Sequence, residues 1–258
     1  MGEALVTGLV RRGPWAPADL AVVDPDPVRR DALASAHEGL AVADAPSPEL
    51  AGPADGAVLA VKPEVAEPAC RQLGEAGVTR VLSVVAGVPT ARLEAVLPAS
   101  AVVVRAMPNI PALVGAGVTA IAGGSRATSA DLDWAESVLA AVGTVVRLPE
   151  RHLDAVTGLS GSGPAYLFVV AEALIEAGVL AGLSREVSRT LVVETLRGAG
   201  QLLAETGETP EALRAAVTSP GGNTAAGLRA LEARAVRSAF LEAVLTATER
   251  SRTLSRPQ

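Results

Sequence analysis

The single lysine of this chain, Lys62, stands in the run VLAVKPEV at 58–65; every other cation among its 22 Lys and Arg residues is arginine. Lys62 follows an apolar run that reads as a buried strand, and Pro63 suits the first position of a helix. In open parallel sheets ligands bind outside the carboxyl ends of strands, which makes Lys62 a candidate contact; a solvent-exposed strand-end lysine is the plainer alternative. Two loops carry the other candidates. RAMPNIPALVGAG at 105–117 holds Asn109 between Pro108 and Pro111, a stiff way to present a donor and an acceptor together. VTSPGGNTAAGLRALE at 217–232 breaks one helix at Ser219-Pro220-Gly221-Gly222 and opens the next at Asn223-Thr224. Successive N–H groups at such a helix start suit a carboxylate or a phosphate, although ordinary capping by Thr224 explains the same letters. GLSGSGPAY at 158–166 repeats the device with Ser162, Gly163 and Pro164, and its glycines equally permit close backbone approach.

The rest of the composition narrows the chemistry by exclusion. His37 lies on a peripheral helix with no second titrating partner in its segment, His152 just before the helical half reads as a surface residue, and no Cys/His cluster has metal-ligand spacing, so no catalytic metal is expected. A net charge of −6 without any basic run argues against a nucleic-acid footprint. One cysteine, Cys70, forms no internal disulfide and fits a reducing compartment. No apolar stretch reads as membrane-spanning, because Pro, Gly or a charge interrupts each, and no signal peptide opens the chain. These features predict a soluble cytoplasmic protein.

Two kinds of element must position the candidates. From residue 20 to 122, apolar runs (20–23, 40–43, 57–61, 80–85, 101–107, 118–123) alternate with helical stretches. This is the pattern of a parallel α/β sheet covered on both faces, closed by TVVRL at 144–148. A helix over 128–143 is capped by Thr128 or Ser129 and closed by Gly143. Beyond Pro149 the sequence reads as helices only. The expected domains are therefore 1–149, of Rossmann type, and 150–258, all-α. AYLFVVAEALIEAGVLAGL is apolar on almost every face, which predicts burial against a second subunit in an intertwined homodimer. The opening MGEALVTGLVRRG reads as the helix that follows a first strand and a G-x-G-x-x-G turn, of which only Gly2 is present. Asp24, after the next strand, fits the acidic residue that holds a ribose, or a turn-forming Asp-Pro.

AVKP, AMPN-x-P, SGSGPAY and PEALRAAVTSPGGNTAAGLRALE (210–232), in this order and spacing, closely resemble the delta-1-pyrroline-5-carboxylate reductase family from Met1 to about Thr248. The resemblance implies a Rossmann domain followed by a helical dimerisation domain. It also implies hydride transfer from NADPH, with NADH as the other candidate, to the imine carbon of pyrroline-5-carboxylate, giving L-proline. By it, Ser219, Gly221, Gly222, Asn223 and Thr224 hold the substrate. The amides of Asn223 and Thr224 would bind its carboxylate, and the Thr224 hydroxyl, the candidate catalytic group, its ring nitrogen. Ser162 and Gly163 line the same pocket. Gly2, Asp24, Ser47, Ala60, Lys62, Pro63 and Asn109 contact the cofactor, Asn109 beside the nicotinamide. Ser47 stands where the family often has asparagine.

A cyclic imine protonates readily and its iminium accepts hydride, so a polar partner for nitrogen and good placement suffice without a strong acid. Asp24 favours NAD, whereas Arg29 or Arg30 can reach a 2′-phosphate. The family's strand and first glycines have no counterpart here, which leads to the expectation that the natural chain starts upstream and that this one binds cofactor less tightly. Two rivals remain. A beta-hydroxyacid dehydrogenase needs a catalytic lysine on the long helix, where this chain reads GLSGSGPAYLFVV. A non-catalytic dimeric scaffold would show no NAD(P)H oxidation.

Overall fold

The computed structural model of the chain describes residues 1–255. The chain forms two compact units, one of residues 1–162 with the segment from Thr246 onward, the other of Gly163–Leu245.

In the first unit the elements are α1 (Gly2–Arg12), β1 (Ala21–Val23), α2 (Pro27–Ala36), β2 (Ala41–Ala43), α3 (Pro48–Ala51), β3 (Ala57–Leu59), α4 (Ala66–Glu75), β4 (Arg80–Ser83), α5 (Thr90–Glu94), β5 (Val102–Met107), β6 (Gly117–Gly123), α6 (Ser129–Ala140), β7 (Gly143–Arg147) and α7 (Leu153–Val156). Two of these helices start where a side chain satisfies free N–H groups. Asp26 accepts from Val28 N to cap α2, and Thr128 forms a capping box with Asp131 at α6. Leu5 and Leu9, one turn apart on α1, bury against Leu82 and Val104 of the sheet and against Leu139 and Val142. The opposite face buries Cys70, Val81, Val85, Leu93 and Val103. Helices thus cover both faces of the sheet, as the apolar runs predict.

The strands form two sheets: β1 pairs with β2, and β3-β4-β5-β6-β7 follow in that order. Among the described residues no ladder joins β1 to β3. All pairs are parallel except β5–β6, which is antiparallel. The link 108–116 is too short for a crossover, so β6 must return beside β5 in the opposite sense, a departure from the all-parallel expectation. Gly143 likewise does not close α6. The helix ends at Ala140 with Ala141 still right-handed, and Gly143 (φ 147°) opens β7 against Gly117 of β6.

The second unit holds α8 (Gly163–Leu180), α9 (Arg185–Thr206), α10 (Pro210–Ala216), α11 (Asn223–Ala233) and most of α12 (Val236–Ser255). Ser184 and Thr209 cap α9 and α10 by accepting from Val187 N and Ala212 N. α8 is apolar all round, yet Leu167, Phe168 and Val169 are 57–64% exposed in the single chain. The helical stretch 150–180 is continuous enough to qualify by length and composition as a bilayer-crossing helix. That corrects the sequence reading: Pro164 sits in the first turn of α8, where it interrupts nothing. The last turns of α12 belong to the first unit, where Ser251 Oγ donates to Asp154 Oδ1 at 2.7 Å.

Candidate functional site

The cofactor candidates all lie in the first unit. α1 begins at Gly2 with no side-chain cap, so its first N–H groups face outward. A β-carbon placed on Gly2 would meet that of Ala60 at 3.5 Å, so the start of α1 lies beside the loop leaving β3. Ala60, Lys62 and Pro63 follow β3 and are exposed, with Lys62 preceding a short 3-10 turn at Pro63–Val65. A cleft of about 230 Å³ opens between Met1, Glu3, Ala4 and Thr7 of the α1 region, Arg29 of α2 and Leu113. The outward amides, the guanidinium and the hydroxyl fit the phosphates of a dinucleotide, at the carboxyl ends of parallel strands where such ligands bind. Glu3 is the one group of the wrong sign.

Asp24 directly follows β1, as its sequence position predicts, and its carboxylate is already engaged. Oδ1 accepts from Asp26 N at 3.0 Å, Oδ2 pairs with Arg29 Nε at 3.3 Å, and its backbone carbonyl accepts from Arg30 at 2.7 Å. The turn-forming role of Asp24 is therefore present, whatever else it does. Ser47 precedes α3, and its side chain hydrogen-bonds the Glu49 carboxylate, the main cause of that group's lowered pKa.

Asn109 is buried. Its Oδ1 accepts from Val118 N at 3.0 Å and its Nδ2 donates to the Ser160 carbonyl at 3.1 Å. Ser160 lies in a π-turn over Thr157–Gly161, closed by Ser162 N donating to Thr157 O at 2.9 Å. Such wide turns recur at functional sites. The sequence singled out these glycines but not their geometry; the pairing with Asn109 spans 51 positions and leaves no local signature.

The substrate candidates, apart from Ser162, lie in the second unit; Gly163 starts α8 there. After α10, Thr218 Oγ1 donates back to Arg214 O at 2.6 Å, and Gly222 N donates to Ser219 O at 3.1 Å. Gly221 turns the chain with φ 71°, a left-handed conformation that glycine adopts without strain. Any side chain at Gly222 would collide with Ser219 Oγ. α11 then starts with Gly222 as its cap and no side-chain cap bond. The sequence left capping by Thr224 open; the structure gives the cap position to Gly222, so the Thr224 hydroxyl is not used for it. The amides of Asn223 and Thr224 stand at an uncapped, exposed N-terminus, and Ser219, Gly221, Asn223 and Thr224 are all exposed. This turn can hold a small anion and offer one hydroxyl beside it.

Sequence reasoning offered Arg29 for a 2′-phosphate but missed Thr7 and Leu113 beside it in the cleft. Spacing on α1 could have paired Glu3 with Thr7, but Leu113 is brought in by the loop after β5. No group of three or more metal-ligating side chains occurs among the described residues.

Comparison with known proteins matches two family models to separate stretches of the chain. A family described as pyrroline-5-carboxylate reductase dimerisation matches residues 150–254, and one described as NADP oxidoreductase, coenzyme F420-dependent, matches 1–87. The chain is 42% identical to a pyrroline-5-carboxylate reductase of Synechocystis, over 99% of this chain and 95% of that one. It is 43% identical to the one from Mycobacterium tuberculosis, over 98% and 93%. Among solved structures it is similar to the pyrroline-5-carboxylate reductase of Coxiella burnetii, with TM-score 0.92, 33% identity and 99% and 95% coverage. It is also similar to the Plasmodium falciparum enzyme with NADP bound, with TM-score 0.85, 29% identity and 99% and 95% coverage. On motifs, fold and length together, this chain belongs to the pyrroline-5-carboxylate reductase family.

Proposed function

We infer that this chain reduces 1-pyrroline-5-carboxylate to L-proline with NADPH as hydride donor, NADH being the second candidate, in the last step of proline biosynthesis in the cytoplasm. The observation that carries this reading is the uncapped turn at 219–224, which keeps two amides and the Thr224 hydroxyl free within a chain that aligns with a pyrroline-5-carboxylate reductase over 99% of its residues.

The proposed boundary lies between residues 149 and 150, with cofactor binding before it and substrate binding and dimerisation after it. In the first part Gly2, Asp24, Ser47, Ala60, Lys62, Pro63 and Asn109 contact the cofactor, whose nicotinamide supplies the hydride. Arg29, in the cleft beside Thr7, is placed to face a ribose phosphate, which supports NADPH over NADH. In the second part the amides of Asn223 and Thr224 hold the substrate carboxylate, with Ser219, Gly221 and Gly222 shaping the turn and Ser162 and Gly163 lining the pocket. Thr224 Oγ1 accepts a hydrogen bond from the iminium N–H and fixes the ring while the imine carbon takes the hydride. The C=N π pair moves onto nitrogen, leaving the amine of proline. Orientation and desolvation of a substrate that is already electrophilic do most of this work.

The exposed apolar faces of the helical half are covered by a second copy of the chain. Burying the exposed remainder of Leu167, Phe168 and Val169 contributes about 1–2 kcal/mol each, which favours association. That same association accounts for α8 without a membrane.

The test is NADPH oxidation with pyrroline-5-carboxylate, for the native chain and for Thr224→Ala. Loss of one hydrogen bond to a charged group predicts a fall in kcat/KM of roughly 10- to 100-fold, with NADPH binding unchanged. Unchanged turnover would remove Thr224 from the mechanism, and no oxidation by the native chain would favour a scaffold.

A further inference from the structure

We propose that Asn109 is a positioning residue for the substrate side of the reaction, holding the π-turn at 157–161 in the shape that presents Ser162 and Gly163. This rests on the substrate roles proposed above for those two residues, and it gives Asn109 a task beyond contact with the cofactor.

The carboxamide is used at both ends within the protein. Oδ1 takes the Val118 amide at the start of β6, and Nδ2 reaches the Ser160 carbonyl in the π-turn. Pro108 and Pro111 flank it, and its backbone carbonyl accepts from Ala112 N at 3.1 Å, so it has little freedom to swing elsewhere. The π-turn needs such an outside partner. A π-turn carries its bonds one residue further than an α-helix does, which leaves it prone to relax to α geometry. Side-chain bonds that hold it include Thr157 Oγ1 to Leu153 O, Ser160 Oγ to Val156 O, and Asn109 Nδ2 to Ser160 O. The last comes from another element. Gly161 packs close to the end of the Met107 side chain on β5, two residues before Asn109: a β-carbon there would come within 2.7 Å of Met107 Cε. The turn ends at Ser162, where the first compact unit also ends.

Two variants separate the ends of the carboxamide. Asn109→Asp keeps the acceptor for Val118 N but sets an anionic oxygen against the Ser160 carbonyl; Asn109→Ala removes both bonds. For each, three quantities are measured: hydrogen exchange over 157–163, KM for pyrroline-5-carboxylate, and the Kd of NADPH by fluorescence. The expected result is at least tenfold faster exchange of the Ser162 amide, whose bond to Thr157 O closes the turn, in both variants. A rise of about tenfold in the substrate KM should accompany it, the size of one lost buried hydrogen bond, and this rise should exceed any change in the Kd of NADPH, which Asn109 also contacts. Unchanged exchange would overturn the proposal. Faster exchange with an unchanged KM would overturn its link to substrate, and a weakened NADPH Kd with unchanged KM would return Asn109 to the cofactor alone. Failure of the underlying function reading shows separately, as native-like turnover in Thr224→Ala.

Discussion

Gly221→Ala isolates the conformational demand of the substrate turn. The native residue has φ 71° with nothing within 4 Å of a β-carbon, so the methyl group meets no neighbour and the whole cost is torsional. For an L-residue held in the left-handed region that cost is about 1–2 kcal/mol. The free protein can shed this strain by rotating the peptide out of the left-handed well, which turns the Asn223 and Thr224 amides away from a common point. Substrate must then restore the turn, so binding loses at most the strain energy. The ceiling on the rise in KM is about 5- to 30-fold. Gly207 supplies the internal control: it ends α9 with φ 68° and likewise has nothing within 4 Å. Gly207→Ala should therefore show a similar loss of unfolding free energy in urea, at matched protein concentration because the fold is oligomeric, with KM unchanged. Asn at 221, which tolerates the left-handed region, should recover most of the loss. Equal KM effects for the two alanine variants would refute the substrate role of the turn. A rise in KM above a hundredfold would refute the torsional reasoning, since strain of this size cannot produce it.

Two further outcomes follow from the first unit. Burial works against ionisation of Asp131, but hydrogen bonds from the Thr128 side chain and amide and from Arg80 outweigh it and hold its pKa below the usual carboxylate range. The stability it contributes is therefore full above the unfolded-state value, near pH 4, and is lost as pH falls through the lower folded value. Acid titration of the unfolding free energy should show a component that Asp131→Asn abolishes, at a cost near neutral pH of about 1–3 kcal/mol; an identical acid limb in the variant would contradict this. Gly143→Ala should cost about 3 kcal/mol or more in urea, because φ is 147° and the new methyl group would overlap the Gly117 carbonyl, splitting β6 from β7. A loss below about 1 kcal/mol would mean that the two strands part without resistance.

The fold was legible wherever apolar pattern decides the structure. Runs such as AVVVRAM are apolar on both faces because helices cover both, and they appear as β5 with little change in bounds. Direction is not written in such runs: Val and Ala serve parallel and antiparallel neighbours alike, so the reversed sense of β6 had to come from the length of the preceding link. Non-local polar pairs were equally silent. Arg105, buried on β5, pairs with Glu150 at 3.1 Å, and Glu150 also accepts from both Thr90 N and Oγ1. Nothing near any of the three residues announces that triad. At the candidate site the letters SPGGNT showed a helix start but not which residue caps it, since Gly and Thr both serve; the geometry of Gly222 decided it.

The pair β1–β2 stands outside the larger sheet, three residues per strand, anchored by side chains such as that of Leu20 rather than by a ladder to β3. Asp24, directly after β1, and Arg29, on α2, already pair at 3.3 Å. A ligand anion that drew Arg29 toward itself would have to loosen that pair, so the grip of this turn on its own arginine would set part of the cost of binding there.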